Sequence, residues 1–366
     1  MRALIECAVA AAAVFIPAHR EGPEEGLQPP EVGAIAPPFH HVAWLQVEGA
    51  GADAQPEIEK LRGQVVVVTT YGYYCDSCIR VGVPAANAIR ASNPQGVRVF
   101  SITGEWGEDT DEITLAKARD LGIEHSIAKG GYFGEWTPYL NLNVNPNLTY
   151  AFVIARTGGV QWKGDPSRSR EEYFAAVSRA LTAVPAEPLP STMAPELGEA
   201  TRAYVLGEFD RAESEARSAL KKLGSKPGAE LERARDDANG LVALVEKTRA
   251  KLVEEPERAA GEKDPERFQR ALANVRRAFP KGPAADRVAQ LEKLMAGETG
   301  SGPACRAWAK WLELEAARPA NFPAEKDKAT SKFAKQLEKH ASQDEAPGAA
   351  TAKAWLEAFK TAKDTK

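Results

Sequence analysis

Apolar positions along this chain of 366 residues follow two regimes. Up to about residue 184, short β-type runs alternate with stretches of helical period; beyond residue 195 the period is helical throughout. The strongest β signal is Val65-Val66-Val67-Val68-Thr69-Thr70, in which β-branched residues with no polar alternation predict a strand buried on both faces. Phe39 to Gly49 alternates and predicts a second strand, and Val97, Val99 and Ser101-Ile102 a third. Between them, Ile79 to Ala91 reads as a helix interrupted by Pro84, and Ile113, Leu115, Ala118 and Leu121-Gly122 as an amphipathic helix with a glycine stop. Tyr173, Phe174, Val177, Ala180, Leu181 and Val184 close this part with a further helix, and the alternation implies a parallel sheet core.

In the second half, Leu231, Ala234, Ala238, Leu241, Val245, Thr248 and Leu252 are spaced alternately by three and four, the seam of a long helix. Phe268, Leu272, Val275 and Phe279 form another face, followed by Val288, Leu291 and Met295, then Trp308, Trp311 and Leu312. Ala200, Tyr204, Gly207, Phe209, Ala212, Ala216 and Ala219 resemble a tetratricopeptide-type helix pair; no clean 34-residue period accompanies them. An irregular helical domain accounts for the same pattern.

A hydrophobic content of 43%, a charged content of 27% and a formal charge of -4 describe ordinary globular protein and give no argument for a nucleic-acid partner. At the N-terminus, Arg2 and the apolar run Ala8 to Ile16 predict a signal peptide over residues 1–18, with Glu6 against it; the run is too short to span a membrane. Residues 19–31 then read as a linker, and residues 185–195, with four prolines from Val184 to Pro195, as a second, semi-rigid one.

Cys75 and Cys78, at the end of the valine run, form a Cys-x-x-Cys pair whose first thiol stands at a helix N-terminus, where free amides and the helix dipole favour thiolate. The only other cysteines are Cys7 and Cys305, and no His-x-x-x-His spacing exists among the five histidines, so a four-ligand zinc site is not expected. The adjacent His40 and His41 point to opposite faces of a strand and do not chelate one ion. No metal or separate cofactor is expected: the favoured reading of the pair is a redox-active Cys75–Cys78 disulfide, with a structural disulfide as the alternative. Cys305, one turn before Trp308, reads as a buried apolar residue.

Residues 32–184 resemble the TlpA-like thioredoxin-fold disulfide reductases of the bacterial envelope. The likeness rests on Val32-Gly33-Ala34-Ile35-Ala36-Pro37-Pro38-Phe39, on Leu61-Arg62-Gly63-Gln64 followed by the valine run, on Val97 to Gly104, and on Ala151 to Gly159, which resembles that group's late hairpin. The helical period beyond residue 195 predicts an all-α helical domain over residues 196–366; the likeness itself implies an α/β thioredoxin-like domain over residues 32–184. It also implies that Cys75 is the nucleophile and Cys78 the resolving thiol, acting on protein thiol or disulfide substrates in an exported, periplasmic setting.

The chain departs from that family in several places. Tyr74 stands where the family has Trp, Ser77 where it has Pro, and Pro84 comes one residue later than the usual helix proline. Asp76, between the thiols, opposes ionisation of Cys75. The family's cis-proline position falls on Thr149, where a cis bond would cost about 2.5 to 4 kcal/mol, so the bond is trans or the loop is shifted. The expected substrate groove comprises Tyr74, Trp136, Leu148 and Thr149; for Trp136 and its neighbour Tyr139, capping of the core edge fits equally well.

Two readings remain open. The leading one is a thiol–disulfide oxidoreductase of the envelope in two separately folded units, with a protein partner for the helical half. The alternative is a helical, partner-binding scaffold whose thioredoxin-like domain is inert. A peroxidase of the peroxiredoxin branch is disfavoured because Gly72 stands where that branch has Thr or Ser.

Overall fold

The computed structural model describes residues 30–39, 42–48, 55–73, 75–104, 110–130, 149–184, 186–190, 192–224, 227–297, 301–343 and 345–362. The signal peptide expected over residues 1–18, and Cys7, His40-His41, Tyr74, Trp136, Tyr139 and Leu148, lie outside them.

A six-stranded mixed sheet organises the first half, built from β1 (Val42–Gln46), β2 (Val65–Tyr71), β3 (Val97–Gly104), β4 (Ser126–Gly130), β5 (Tyr150–Ile154) and β6 (Val160–Gly164), in the order β1-β4-β3-β2-β5-β6. β2, β3 and β4 run parallel, whereas β1, β5 and β6 are each antiparallel to their neighbours. The valine run is central and buried on both faces. Val65 and Val67 pack with Ala85, Ile89, Tyr173 and Val177, and Val66 and Val68 with Ile58, Phe100, Ile102 and Ile154. The first face is covered by α1 (Val83–Ser92) and α3 (Arg170–Thr182). A strand, helix and parallel strand followed by an antiparallel hairpin and a closing helix is the thioredoxin-like arrangement.

Strand β4 was not anticipated. Ser126-Ile127-Ala128-Lys129-Gly130 carries only two consecutive apolar residues, too short a run to show a period, and it is a strand because β3 and β1 pair on either side of it. Helix α2 (Asp111–Asp120) matches its sequence pattern: the Thr110 side chain caps its start, and Gly122 ends it at φ 68°.

Pro84 does not interrupt its helix. The helix that begins at Asp76 runs on through it, and the π-helical turn Cys78–Gly82 immediately before it alters the backbone hydrogen-bond pattern just ahead of its missing N–H. A π turn holds one extra residue, which matches the one-residue displacement of Pro84 from the family spacing.

Among the described residues, the second half holds eight α-helices: α4 (Gly198–Val205), α5 (Phe209–Leu223), α6 (Ala229–Gly261), α7 (Pro265–Ala278), α8 (Pro283–Gly297), α9 (Ser301–Ala316), α10 (Lys328–Ala341) and α11 (Ala349–Thr361). The long seam is realised in α6, and Phe268, Leu272, Val275 and Phe279 are fully buried beside it. Trp311, Phe322, Phe333 and Leu337 form a separate small core farther along. Cys305 is buried, and burial pushes its thiol pKa up. No described helix is long and apolar enough to cross a membrane.

The halves are in close contact. A Cβ on Gly159, at the start of the β6 hairpin arm, would sit 2.2 Å from Val205 of α4, so only glycine permits that approach. Asn93, after α1, donates to the Ala320 carbonyl at 2.9 Å, and Arg170 of α3 pairs with the buried Glu325 at 2.5 Å. The proline-rich segment is anchored on both sides: the Leu189 amide donates to the Thr157 carbonyl at 3.3 Å, and the Tyr204 hydroxyl donates to the Glu187 carbonyl at 2.7 Å.

Candidate active site

Strand β2 ends at Tyr71, and the chain turns directly into the helix that begins at Asp76. Cys75 is therefore the helix N-cap. Its sulfur takes the part a serine or threonine oxygen plays elsewhere, accepting the Cys78 amide at 3.2 Å, while its carbonyl accepts the Ile79 amide at 3.1 Å. An amide aimed at the sulfur stabilises the thiolate over the thiol. Cys75 and Cys78 are joined as a disulfide with Cα atoms 5.2 Å apart.

Two hydroxyls bind the sulfurs from outside the helix backbone. Thr149, the residue before β5, donates to Cys78 Sγ at 3.3 Å and lies 3.8 Å from Cys75 Sγ. Ser77 Oγ is 3.3 Å from Cys75 Sγ and 3.0 Å from Thr149 Oγ1, so the two hydroxyls connect. Thr149 reaches the sulfurs because Gly82 stands under it: a Cβ there would lie 2.4 Å from Thr149 Cγ2. Strand pairing fixes this placement. β5 runs antiparallel beside β2, with Thr70 opposite Tyr150, which sets the residue before β5 at the end of β2 where the cysteines begin.

In this oxidised pair Cys75 is 4% exposed and Cys78 0%, so both sulfurs are buried. Their surroundings are apolar: Tyr71, Val83, Ala118, Ile123 and Ile127 pack with them. Burial pushes the Tyr71 hydroxyl pKa well up, Tyr71 lies edge-on to Tyr73, and the Tyr73 hydroxyl donates to the Thr114 carbonyl at 3.0 Å. Asp76 pairs with Arg80 at 2.6 Å, both three-quarters exposed, so its charge is partly offset one helical turn away and screened by water.

Of the residues expected at the site, Cys75, Cys78 and Thr149 come together, and Tyr74, Trp136 and Leu148 lie outside the described residues. Sequence reasoning did not assign roles to Ser77 and Gly82. Ser77 entered only as a missing proline, although a hydroxyl between two thiols was signal enough. The need for glycine at residue 82 arises from a residue 67 positions away and leaves no local trace.

No family model matches this chain, and no curated protein matches it. Among solved structures, it is similar to a thioredoxin-family thiol:disulfide interchange protein from Chlorobium tepidum, at 17% identity and a TM-score of 0.29, covering 40% of this chain and 95% of that one. A thiol-disulfide isomerase from Corynebacterium glutamicum is similar at 22% identity and a TM-score of 0.27, covering 33% and 79% of the two chains. A secreted disulfide oxidoreductase of Mycobacterium tuberculosis is similar at 14% identity and a TM-score of 0.25, covering 33% and 84%. The fold assignment rests on the strand order and helix placement described above.

Proposed function

We propose that the protein is a thiol–disulfide oxidoreductase working through Cys75 and Cys78. The observation that carries this reading is the N-cap geometry, in which the first sulfur of the pair accepts a helix amide and the hydroxyl of Thr149, the residue before β5, reaches the second. In the reduced state, the Cys75 thiolate attacks a substrate disulfide, forming a mixed disulfide on Cys75 and releasing one substrate thiolate. Cys78, as thiolate, then attacks the Cys75 sulfur, reforming the Cys75–Cys78 bond and releasing the second. Two electrons pass from the dithiol to the substrate, and the released thiolates take up the two protons shed by the cysteines. A small dithiol or a partner protein dithiol returns the pair to its reduced state.

Substrates are protein disulfides, recognised in a groove formed by Tyr74, Trp136, Leu148 and Thr149. The N-terminal apolar pattern supports export, and a periplasmic location suits dithiol chemistry. The helical half, with its α4–α5 pair resembling a tetratricopeptide unit, serves as the partner-binding region. Burial of Cys75 at 4% favours a second reading, a disulfide-locked scaffold. Reduction of insulin by the full chain with dithiothreitol as reductant separates the two. The oxidoreductase turns insulin over, and Cys75→Ser lowers the rate at least about a hundredfold; a wild-type rate equal to that of Cys75→Ser means a scaffold.

A further inference from the structure

At the opposite end of the sheet from the cysteines, a cavity of about 610 Å³ lies where the β5–β6 turn, the C-terminal ends of α3 and α7, and the α4–α5 turn meet. Its size is that of a small-molecule pocket. Four arginines line it; besides Arg211 of α5 they are Arg156 from the β5–β6 turn, Arg179 from the last turn of α3, and Arg277 from the last turn of α7. Unlike Arg211, these last three pair with no carboxylate among the described residues, whereas most other described arginines do. The acids that line the cavity are already engaged: Glu208 with Arg211 at 3.0 Å and Asp210 with Arg249 at 3.4 Å. An uncompensated positive charge therefore faces the cavity.

Two further features point to an anion. The 15-residue helix α5 starts at the wall with Phe209, Asp210 and Arg211 and carries no side-chain cap, so its first amides and the positive end of its dipole are available. Thr157, only 7% exposed, also lines the cavity, and its buried hydroxyl has no hydrogen-bond partner. A buried, unsatisfied hydroxyl costs stability unless something answers it. Apart from Gln161 and Thr182 the remaining lining is mostly apolar, including Val184, Leu206, Ala278 and Pro280. A bare inorganic ion would leave that surface wet.

We propose that this cavity binds a small organic anion, whose carboxylate or phosphate head is held by Arg156, Arg179, Arg277 and the α5 amides while its apolar body fills the space between the halves. Arginine suits this role because its planar donors bind either oxyanion in two-point fashion. Nothing in the site calls for redox chemistry, and its distance from Cys75 makes binding independent of the thiols.

Calorimetric titration of the full chain with octanoate, octyl phosphate, inorganic phosphate and octanol tests this. One or both of the two amphipathic anions should bind saturably, at least about tenfold more tightly than inorganic phosphate or octanol, and their ranking identifies the head group. The double variant Arg179→Gln/Arg277→Gln should weaken that binding about tenfold or more with insulin reduction unchanged. Thr157→Val should weaken it with an unchanged or raised Tm, which separates a lost ligand contact from a damaged fold. Octanol binding as tightly as octanoate, inorganic phosphate binding as tightly as octyl phosphate, no saturable binding by any probe, or arginine variants that bind as the wild type does would each overturn the assignment.

Discussion

Phe268, Leu272, Val275 and Phe279 in the helical half, and Cys75, Cys78 and Thr149 in the sheet half, represent two kinds of order. The first four stand three or four residues apart on or just past one helix, and each is fully buried for the same reason as its neighbours. The last three are brought together by strand pairing across 74 residues of chain. Periodic burial supplies stability spread over many equivalent positions, whereas strand pairing supplies one geometry that a single substitution can spoil. The surfaces differ accordingly. The helical half is laced with partly exposed Arg–Glu pairs such as Arg217–Glu213 and Arg276–Glu292, each of small individual worth, whereas Glu48–Arg90 in the sheet half is mostly buried.

The contacts between the halves bear on how far this contrast extends. Phe268→Ala should cost about 3–5 kcal/mol, the usual range for emptying a fully buried aromatic site. Because Arg170–Glu325, Asn93–Ala320 and the Gly159–Val205 approach tie the halves together, thermal unfolding followed by calorimetry should show one transition, shifted as a whole. Two transitions, with only one displaced by Phe268→Ala, would restore the picture of separately folded units joined by a proline-rich linker.

A smaller effect probes the sheet half alone. His125 is buried, its Nε2 lies 2.7 Å from Ser101 Oγ, and burial lowers its pKa to about 4, with Glu48 raising it and Arg90 lowering it. Its folded pKa lies below the ordinary value of 6.5, so the unfolded chain binds the extra proton first as pH falls. Stability from this group is complete above pH 6.5 and is lost as pH drops toward 4, by about 3 kcal/mol in all. Tm measured at pH 7 and pH 5 should fall more in the wild type than in His125→Gln; equal falls would mean that His125 is not the titrating group.

The least disruptive substitution tests the site. Thr149→Val keeps shape and removes the hydroxyl between the sulfurs. Turnover should fall about tenfold, one charge-assisted hydrogen bond's worth, with Tm little changed. Activity equal to the wild type would reduce Thr149 to a packing residue over Gly82.

The helical half was legible because its signal is local: the seam from Leu231 to Leu252 states its own burial every third or fourth residue, and α6 follows it. The valine run and Cys75–Cys78 were legible for the same reason, strand and helix start being written consecutively. β4 was missed because five residues with two apolar positions carry no period, and only its neighbours make it a strand. The displacement of Pro84 was visible, but its accommodation by a π turn was not, since the extra residue can be absorbed anywhere along the helix. The Ser77–Thr149 link and the Gly82 clearance depend on β5 pairing beside β2, which no stretch of sequence states.

Trapping tests the central claim, that Cys75 is the attacking thiol of a working pair, most directly. In Cys78→Ser the resolving step is removed, so a substrate disulfide should stall on the first cysteine. Incubation of that variant, reduced and then freed of reductant, with insulin and peptide mapping by mass spectrometry should place the mixed disulfide on Cys75, with Cys305 unmodified in its buried site. A mixed disulfide on Cys305, or no mixed disulfide at all, would contradict the assignment.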